Sequence, residues 1–202
     1  MKIQKSLLIV FEGIDGSGKT SLSKLLVTYL KKKELEVVWF REPADSQWGK
    51  RIRELADQKE SIPVAEEIDY FIKDRQWDVT NNISPGLEQD KIVILDRYYF
   101  STACYQGARG LDMAEIIKKN TAFAPQPDCT FIIDVDVDTA MKRIRLNRSA
   151  AVKLFEKRDF LQKVRENYLK LQADNIYIID GKPGLRSVFE KIKEKINSLL
   201  QL

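Results

Sequence analysis

The 202-residue sequence predicts an α/β domain, one parallel sheet of five strands covered by helices on both faces. Three observations carry that expectation. Five short apolar runs alternate with longer segments of helical spacing. The first run is apolar almost throughout, as a strand buried on both faces must be. That same run leads through a glycine-rich turn directly into an amphipathic stripe.

In chain order, the first strand is Ser6–Glu12, "SLLIVFE". From Gly18 to about Lys33, Leu22, Leu25, Leu26 and Tyr29 make a helical stripe that ends in a lysine-rich turn. "LEVVWF", "KIVILD" (Lys91–Asp96), "CTFIIDV" (Cys129–Val135) and "NIYIID" (Asn175–Asp180) supply the second to fifth strands. Helical patterns are expected near Val64–Asn82, Asp112–Ala124, Thr139–Arg145, Phe155–Leu171 and Leu185–Leu200. Strands separated by helices pair in parallel through crossover connections. No repeat, low-complexity tract or linker divides the chain, so residues 1–202 read as one domain. Within it, 143–155 is expected to form a short lid.

Composition narrows the functions. With 44% hydrophobic residues, the chain can bury one sizeable core. Net charge is +4, from 34 basic and 30 acidic residues, which suits a small anionic ligand and is too weak to argue for nucleic acid. There is no histidine, and Cys104 and Cys129 have no partner at metal-ligand spacing, so neither a zinc site nor a disulfide framework is expected. The apolar run Leu7–Phe11 is too short for a secretory leader, and no run reaches membrane-spanning length. A cytoplasmic protein that meets no membrane is expected.

The chemistry starts at Gly13-Ile14-Asp15-Gly16-Ser17-Gly18-Lys19-Thr20, which meets G-x-x-x-x-G-K-[ST] at every required position. It lies between a buried strand and a helix, the context a P-loop NTPase-type fold requires. Glycines let backbone N–H groups surround phosphate, and the positive helix end adds to the attraction. Lys19 can reach the β- and γ-phosphates of ATP, and the Thr20 hydroxyl can ligate Mg²⁺. No guanine-reading N/T-K-x-D and no LSGGQ-like signature is present, which leaves small-molecule kinases as the remaining large class.

"FEGIDGSGKT", "REP" (Arg41–Pro43), "DRYYFSTACYQG" (Asp96–Gly107) and "FEKRDFLQKVRENYL" (Phe155–Leu169) follow one another as in thymidylate kinases. The chain resembles that family over nearly its whole length. The resemblance implies transfer from ATP·Mg²⁺ to dTMP, giving dTDP and ADP, in a homodimer with a five-stranded parallel sheet. A related monophosphate kinase with another base choice is the nearest alternative. A nucleotide-binding module without turnover need not keep Lys19, Arg41, Asp96 and Arg97 together, and all four are present.

The two acids of the phosphate loop need separate accounts. The resemblance implies that Asp15 holds the acceptor's 3′-hydroxyl; the residues alone leave open that it caps the turn instead. Glu12 could fix the strand end by hydrogen bonds and is left outside the site. Arg41 and Arg97, each at the carboxyl end of a strand, point into the crevice where such sheets bind ligands. Their planar forks suit phosphate. The resemblance assigns both to the acceptor phosphate. Asp96 occupies a Walker-B position, where it could place Mg²⁺ through water or orient Arg97. Asp134 and Asp136 read as structural turn acids. Phe71 and Arg75 lie four apart on one helix face; the resemblance makes them the base-stacking ring and the base-reading arginine, while Tyr70 and Trp77 lie off that stripe. By the same comparison Thr102 bonds the base, Tyr105 packs near C2′, and Gln106 lines the sugar-side wall. Cys104 reads as packing.

One departure concerns the lid. Ile14 to Ser17 offer no cation, so the chain resembles family members whose lid supplies that charge. Many of those carry arginine before the Phe-Glu pair, where this chain has Leu154. Arg148, then Arg145, then Lys153 are the cations left for the task.

Overall fold

The computed structural model describes residues 6–58, 62–147 and 158–202. Its centre is the stretch between Leu7 and Glu12, strand β1, in which every residue after the first is buried. Four more strands run parallel to it: β2 (Val37–Arg41), β3 (Ile92–Asp96), β4 (Cys129–Asp134) and β5 (Ile176–Asp180), in the order β2-β3-β1-β4-β5. This is the expected five-stranded parallel sheet with helices on both faces. The chain passes from β1 out to β2, returns to β3, then crosses β1 to reach β4. Ligands bind beyond the carboxyl ends of strands at such a reversal.

Strand alternation divides the core. Leu8, Val10, Val93, Leu95 and Ile132 face one layer, with Tyr98, Tyr99 and Cys104 of α5 (Tyr99–Gly107) and its approach, and Leu161, Val164 and Tyr168 of α8 (Arg158–Leu169). Ile9, Phe11, Ile94, Phe131 and Ile133 face the other, against Leu22, Leu26 and Leu30 of α1 (Lys19–Lys32) and Val188, Ile192 and Ile196 of α9 (Leu185–Leu200). The stripe seen in the sequence is therefore the buried side of α1. Removing most of such a side chain, as in Leu26→Ala, costs about 2–5 kcal/mol.

The remaining helices refine the sequence reading. α6 (Met113–Thr121) starts one residue after Asp112, whose carboxylate caps it by accepting from Ala114 N at 2.8 Å. α7 (Val137–Asn147) is longer at both ends than expected. The single helix expected over Val64–Asn82 is α3 (Val64–Asp78), a π-helical turn (Val79–Ile83) and a short α4 (Ser84–Glu88). Pro85 has no N–H to continue the ladder. In this stretch the Thr80 and Asn81 side chains donate to the carbonyls of Gln76 and Trp77 at 2.9 and 2.8 Å.

Two helices have no counterpart in the sequence reading. α2 (Gln47–Gln58) carries an apolar stripe diluted by charge, and α5 is buried almost all round, so it shows no 3.6-residue contrast. Among the described residues no helix is long and apolar enough to cross a membrane. Of the expected lid, residues 143–147 continue α7, and Arg148, Lys153 and Leu154 lie outside the described residues.

Candidate active site

β1 hands the chain directly to the phosphate loop. Gly13, Gly16 and Gly18 all have positive φ, at 137°, 80° and 101°. A Cβ on Gly16 would come within 2.3 Å of the Ala140 carbonyl, so the loop can lie against α7 only with glycine there. Gly18 then caps α1 in the left-handed region, and Lys19 and Thr20 open the helix. Lys19 Nζ donates to Ile14 O at 3.2 Å and lies 3.8 Å from Asp15 Oδ1. Burial pulls the ammonium down to about 8, and Arg97 adds to this, while Asp15, Asp96 and Glu12 oppose it. Ser17 Oγ is buried with no hydrogen-bond partner among the described residues. A buried hydroxyl without a partner is an unspent donor.

Asp15 leans away from this cradle. Its Oδ1 accepts from Arg97 Nη2 at 2.6 Å and its Oδ2 from the Tyr105 hydroxyl at 3.1 Å. Burial favours the neutral acid, but the Arg97 guanidinium and Lys19 ammonium outweigh it and hold the carboxyl well below the usual carboxylate range. Asp15 is thus a fixed negative charge, and each oxygen keeps a lone pair for another donor.

Arg97 is aimed by its backbone. It sits at φ 76°, a strained position for a side chain of this size, and its N–H is held by Phe11 O at 2.9 Å. Glu12 secures the element that follows. Fully buried, it accepts from Tyr98 N (2.8 Å), Ser101 N (3.0 Å), Ser101 Oγ (2.6 Å) and the Tyr168 hydroxyl (2.9 Å). Glu12 therefore anchors the start of α5 more than the end of β1. It lines neither of the two cavities described below, yet it holds the segment that carries Arg97, Thr102, Tyr105 and Gln106.

Strand register assembles the next group. Arg41 is the last residue of β2, level with Asp96 on β3, which is level with Phe11 on β1. Asp96 Oδ2 accepts from Thr20 Oγ1 at 2.6 Å and lies 3.7 Å from Arg41 Nε. Asp96 Oδ1 is buried without a hydrogen-bond partner among the described residues. A carboxylate on a threonine hydroxyl, with one oxygen spare, is chemistry suited to a cation or its water shell.

Two cavities open on this strand edge, and they meet at Asp15 and Arg41, which line both. The first, about 450 Å³, runs along Gly16–Leu22 and on to Arg143, Gly181 and Pro183. Arg143 of α7 donates to Ser17 O (3.2 Å) and Gly181 O (3.0 Å), bridging the loop to the segment after β5. Arg145, expected to supply lid charge, does not line this cavity. Two residues along a helix is a turn of about 200°, and Arg145 borders a different cleft with Asp138 and Arg158. From sequence, Arg143 marks only the start of the expected lid.

The second cavity, about 260 Å³, is lined by Phe71, Thr102, Tyr105, Gln106, Arg97 and Arg53 among others. Phe71, Thr102, Tyr105 and Gln106 thus come together as the sequence suggested. Arg75 shares their neighbourhood but not the cavity wall. It is 1% exposed, with Nε at 3.0 Å from both Glu42 oxygens, Nη1 at 2.6 Å from Asn120 Oδ1 and Nη2 at 3.2 Å from Thr102 Oγ1. The expected base-reading arginine is therefore packed behind the wall, and in this geometry it acts on the cavity through Thr102. The physical reason is Glu42: burial pushes its carboxyl up, and only a guanidinium on both oxygens offsets that.

Arg53, on α2, and Glu67, on α3, also line this cavity and were not anticipated. Arg53 Nη1 donates to the carbonyls of Pro43 and Ala44 at 2.9 Å, clamping the loop after β2. A signal for Glu67 did exist: it stands four residues before Phe71, on the same helical face. Asp134 and Asp136 are structural, as expected. Asp134 is paired with Arg165 at 2.6 and 2.8 Å, and Asp136 caps α7 through Thr139 N at 2.8 Å.

Comparison with known proteins agrees with this geometry. The family model described as thymidylate kinase matches residues 11–192. A probable thymidylate kinase of Archaeoglobus fulgidus is 38% identical over 196 residues, 97% of each chain. A thymidylate kinase of Desulfotalea psychrophila is 36% identical over 195 residues, 96% of each. The crystal structure of thymidylate kinase from Ehrlichia chaffeensis superposes with a TM-score of 0.76 at 31% identity, covering 96% of this chain and 99% of that one. The chain belongs to the thymidylate kinase family.

Proposed function

We propose that this member of the thymidylate kinase family transfers the γ-phosphoryl group of ATP to dTMP. The bond from γ-phosphorus to the β–γ bridging oxygen breaks, and a bond to a dTMP phosphate oxygen forms, leaving ADP and dTDP. The observation that carries the reading is the meeting of two cavities at Asp15 and Arg41, one walled by the phosphate loop, the other by an aromatic and amide pocket.

In this reading Gly13, Ile14, Asp15, Gly16, Ser17, Gly18, Lys19 and Thr20 bind ATP. Their backbone N–H groups and the Lys19 ammonium face the phosphates. Arg41 and Arg97 hold the acceptor phosphate, at the strand ends that bring it toward the γ-phosphate. Asp15, ionised and fixed by Arg97 and Tyr105, accepts from the acceptor's 3′-hydroxyl. Phe71 stacks on the base, Thr102 bonds it, and Tyr105 crowds the place of a ribose 2′-hydroxyl. Gln106, expected on the sugar-side wall, stands one helical turn after Thr102 on α5 and is read here as reaching the base as well. Such chemistry needs positioning and charge neutralisation more than a base, so a site without histidine suffices.

Mg²⁺ fits the residues present. Thr20 Oγ1 and the spare Oδ1 of Asp96 would hold it or its waters, and when bound it neutralises phosphate charge. The reading also includes Arg148, or failing it Lys153, as a lid cation. It includes a cytoplasmic homodimer, which the family resemblance supports; sedimentation at the mass of a single chain would remove the dimer.

The experiment is an ATP-consumption screen over dTMP, dCMP, dGMP and dAMP. dTMP should lead in kcat/KM by a wide margin, because a site built for particular hydrogen bonds leaves groups unpaired with the wrong base. Equal turnover of any other of the four would overturn the base choice, and no turnover of any would overturn the kinase reading.

A further inference from the structure

Two residues that line the second cavity, Glu67 and Gln106, close a ring of three side chains with Arg109 behind them. Gln106 Nε2 donates to Glu67 Oε1 at 3.1 Å, Arg109 Nη1 donates to Gln106 Oε1 at 3.2 Å, and Arg109 Nη1 also donates to Glu67 Oε2. Glu67 comes from α3, while Gln106 and Arg109 come from α5 and the turn that ends it. Gln106 is 1% exposed, so water cannot replace a lost partner.

A carboxamide has two ends of nearly equal size, and only its partners decide which points where. Here both partners allow one answer. An ionised carboxylate only accepts, and a guanidinium only donates. Turning the Gln106 amide over would set its carbonyl against Glu67 and its NH₂ against Arg109, two mismatches on an amide that is itself buried. We propose that Glu67 is a positioning residue for acceptor specificity: with Arg109 it locks the Gln106 carboxamide in one orientation, and so fixes the hydrogen-bonding edge that the cavity offers to a pyrimidine. This rests on the reading of that cavity as the dTMP site.

The consequence is base discrimination. After its two ring partners, Gln106 has one N–H and one lone pair left. A 4-oxo pyrimidine presents N3–H beside a carbonyl, and a 4-amino pyrimidine presents the reverse pattern. A locked amide matches one of them, and an amide free to turn accommodates both. Glu67 lies beside Phe71 and not on the phosphate loop, so donor binding should not depend on it.

The test uses the full chain and two readouts. Calorimetric Kd values for dTMP and dCMP are measured without ATP, and kcat, KM for dTMP and KM for ATP are measured in turnover. Glu67→Gln keeps the size but can donate or accept, so only Arg109, which is exposed and can swing aside, still opposes a turned Gln106 amide. Its dTMP-over-dCMP preference should fall about tenfold, the worth of one buried hydrogen bond. The change should appear in Kd and KM for the nucleotide, with kcat and KM for ATP within about twofold. Arg109→Lys, still a pure donor, should keep the preference within about threefold of the parent.

A Glu67→Gln preference unchanged in both readouts overturns the proposal, as does a loss that falls equally on KM for ATP and on kcat. If the parent binds dTMP selectively but does not turn it over, the kinase reading fails, and the binding ratios still decide the role of Glu67. A parent that binds neither nucleotide overturns both.

Discussion

The two cavities that meet at Asp15 are built in opposite ways. On the acceptor side nearly every polar group is tied to a different element: Glu42 to Arg75, Arg75 to Asn120 and Thr102, Gln106 to Glu67, Asp15 to Arg97 and Tyr105. On the loop side the side-chain ties are fewer, and several go to backbone carbonyls. Lys19 rests on a carbonyl five residues away, Arg143 bridges two carbonyls, and Ser17 Oγ and Asp96 Oδ1 have no hydrogen-bond partner among the described residues. The contrast follows from what each side must do. Choosing one base requires groups held in place before it arrives. Stabilising phosphate charge requires donors already aimed at it and not yet spent on protein partners.

The largest expected effect lies on the loop side. Lys19→Ala should leave a folded protein whose kcat/KM is lower by about 10²–10³, the scale for losing one donor to developing phosphate charge. Steady-state kinetics with circular dichroism as a control checks it. Activity within a fewfold of the parent would mean that Lys19 does not reach phosphate. The mirror experiment is on the acceptor side. Glu42→Gln should strip the buried Arg75 of its counter-charge and cost about 3–5 kcal/mol of stability in urea titration. A small loss there, with a large loss of turnover, would reverse the contrast between a scaffolded side and a working one.

The same contrast decides what the sequence made legible. The loop side rests on local sequence: Gly13 to Thr20 are contiguous, and a glycine pattern between a strand and a helix has one physical use. The three central strands showed because burial on both faces leaves few polar positions, and the edge strands β2 and β5, only half-buried, showed as short apolar runs. The acceptor scaffold is long-range. Glu42 and Arg75 are 33 residues apart and Glu67 and Arg109 are 42 apart, so no window of sequence holds both partners. Arg75 has Asp74 and Asp78 close by in sequence, but the carboxylate that holds it, Glu42, is not. α5 was missed as a helix for a related reason: its buried surface goes almost all the way round, which erases the periodicity that reveals a helix.

A pH profile sharpens the comparison at single-group level. Burial and Arg97 lower the Lys19 pKa to about 8 in the protein without substrate. kcat/KM reports groups of the free enzyme, so kcat/KM for ATP should fall as pH rises through about 8, up to tenfold per unit once Lys19 is neutral. Lys19→Arg, less active but always charged, should lack that fall. Stability has the opposite sign. A lysine depressed on folding binds more protons unfolded, so its contribution improves from about pH 8 up to its ordinary value near 10.5. Asp15, held low by Arg97 and Lys19, stays ionised through this range and adds no break. A flat ATP profile between pH 7 and 9 would mean that Lys19 keeps its proton.

The smallest expected effects separate two arginines on one helix. Arg143 reaches the carbonyls of Ser17 and Gly181 and walls the loop-side cavity, whereas Arg145 is turned to the cleft of Asp138 and Arg158. Arg143→Ala removes a bridge between the phosphate loop and the segment after β5, along with part of the wall against which a donor nucleotide would lie. KM for ATP should rise about three- to tenfold with kcat nearly kept, the pattern for losing ground-state and transition-state binding together. Arg145→Ala should change both constants by less than about twofold, as surface substitutions commonly do. Paired kinetics on the two variants, at fixed saturating dTMP, makes the measurement. The reverse result, with Arg145→Ala lowering kcat and Arg143→Ala silent, would mean that α7 turns its other face to ATP during turnover, and that the loop side is less fixed than even this contrast allows.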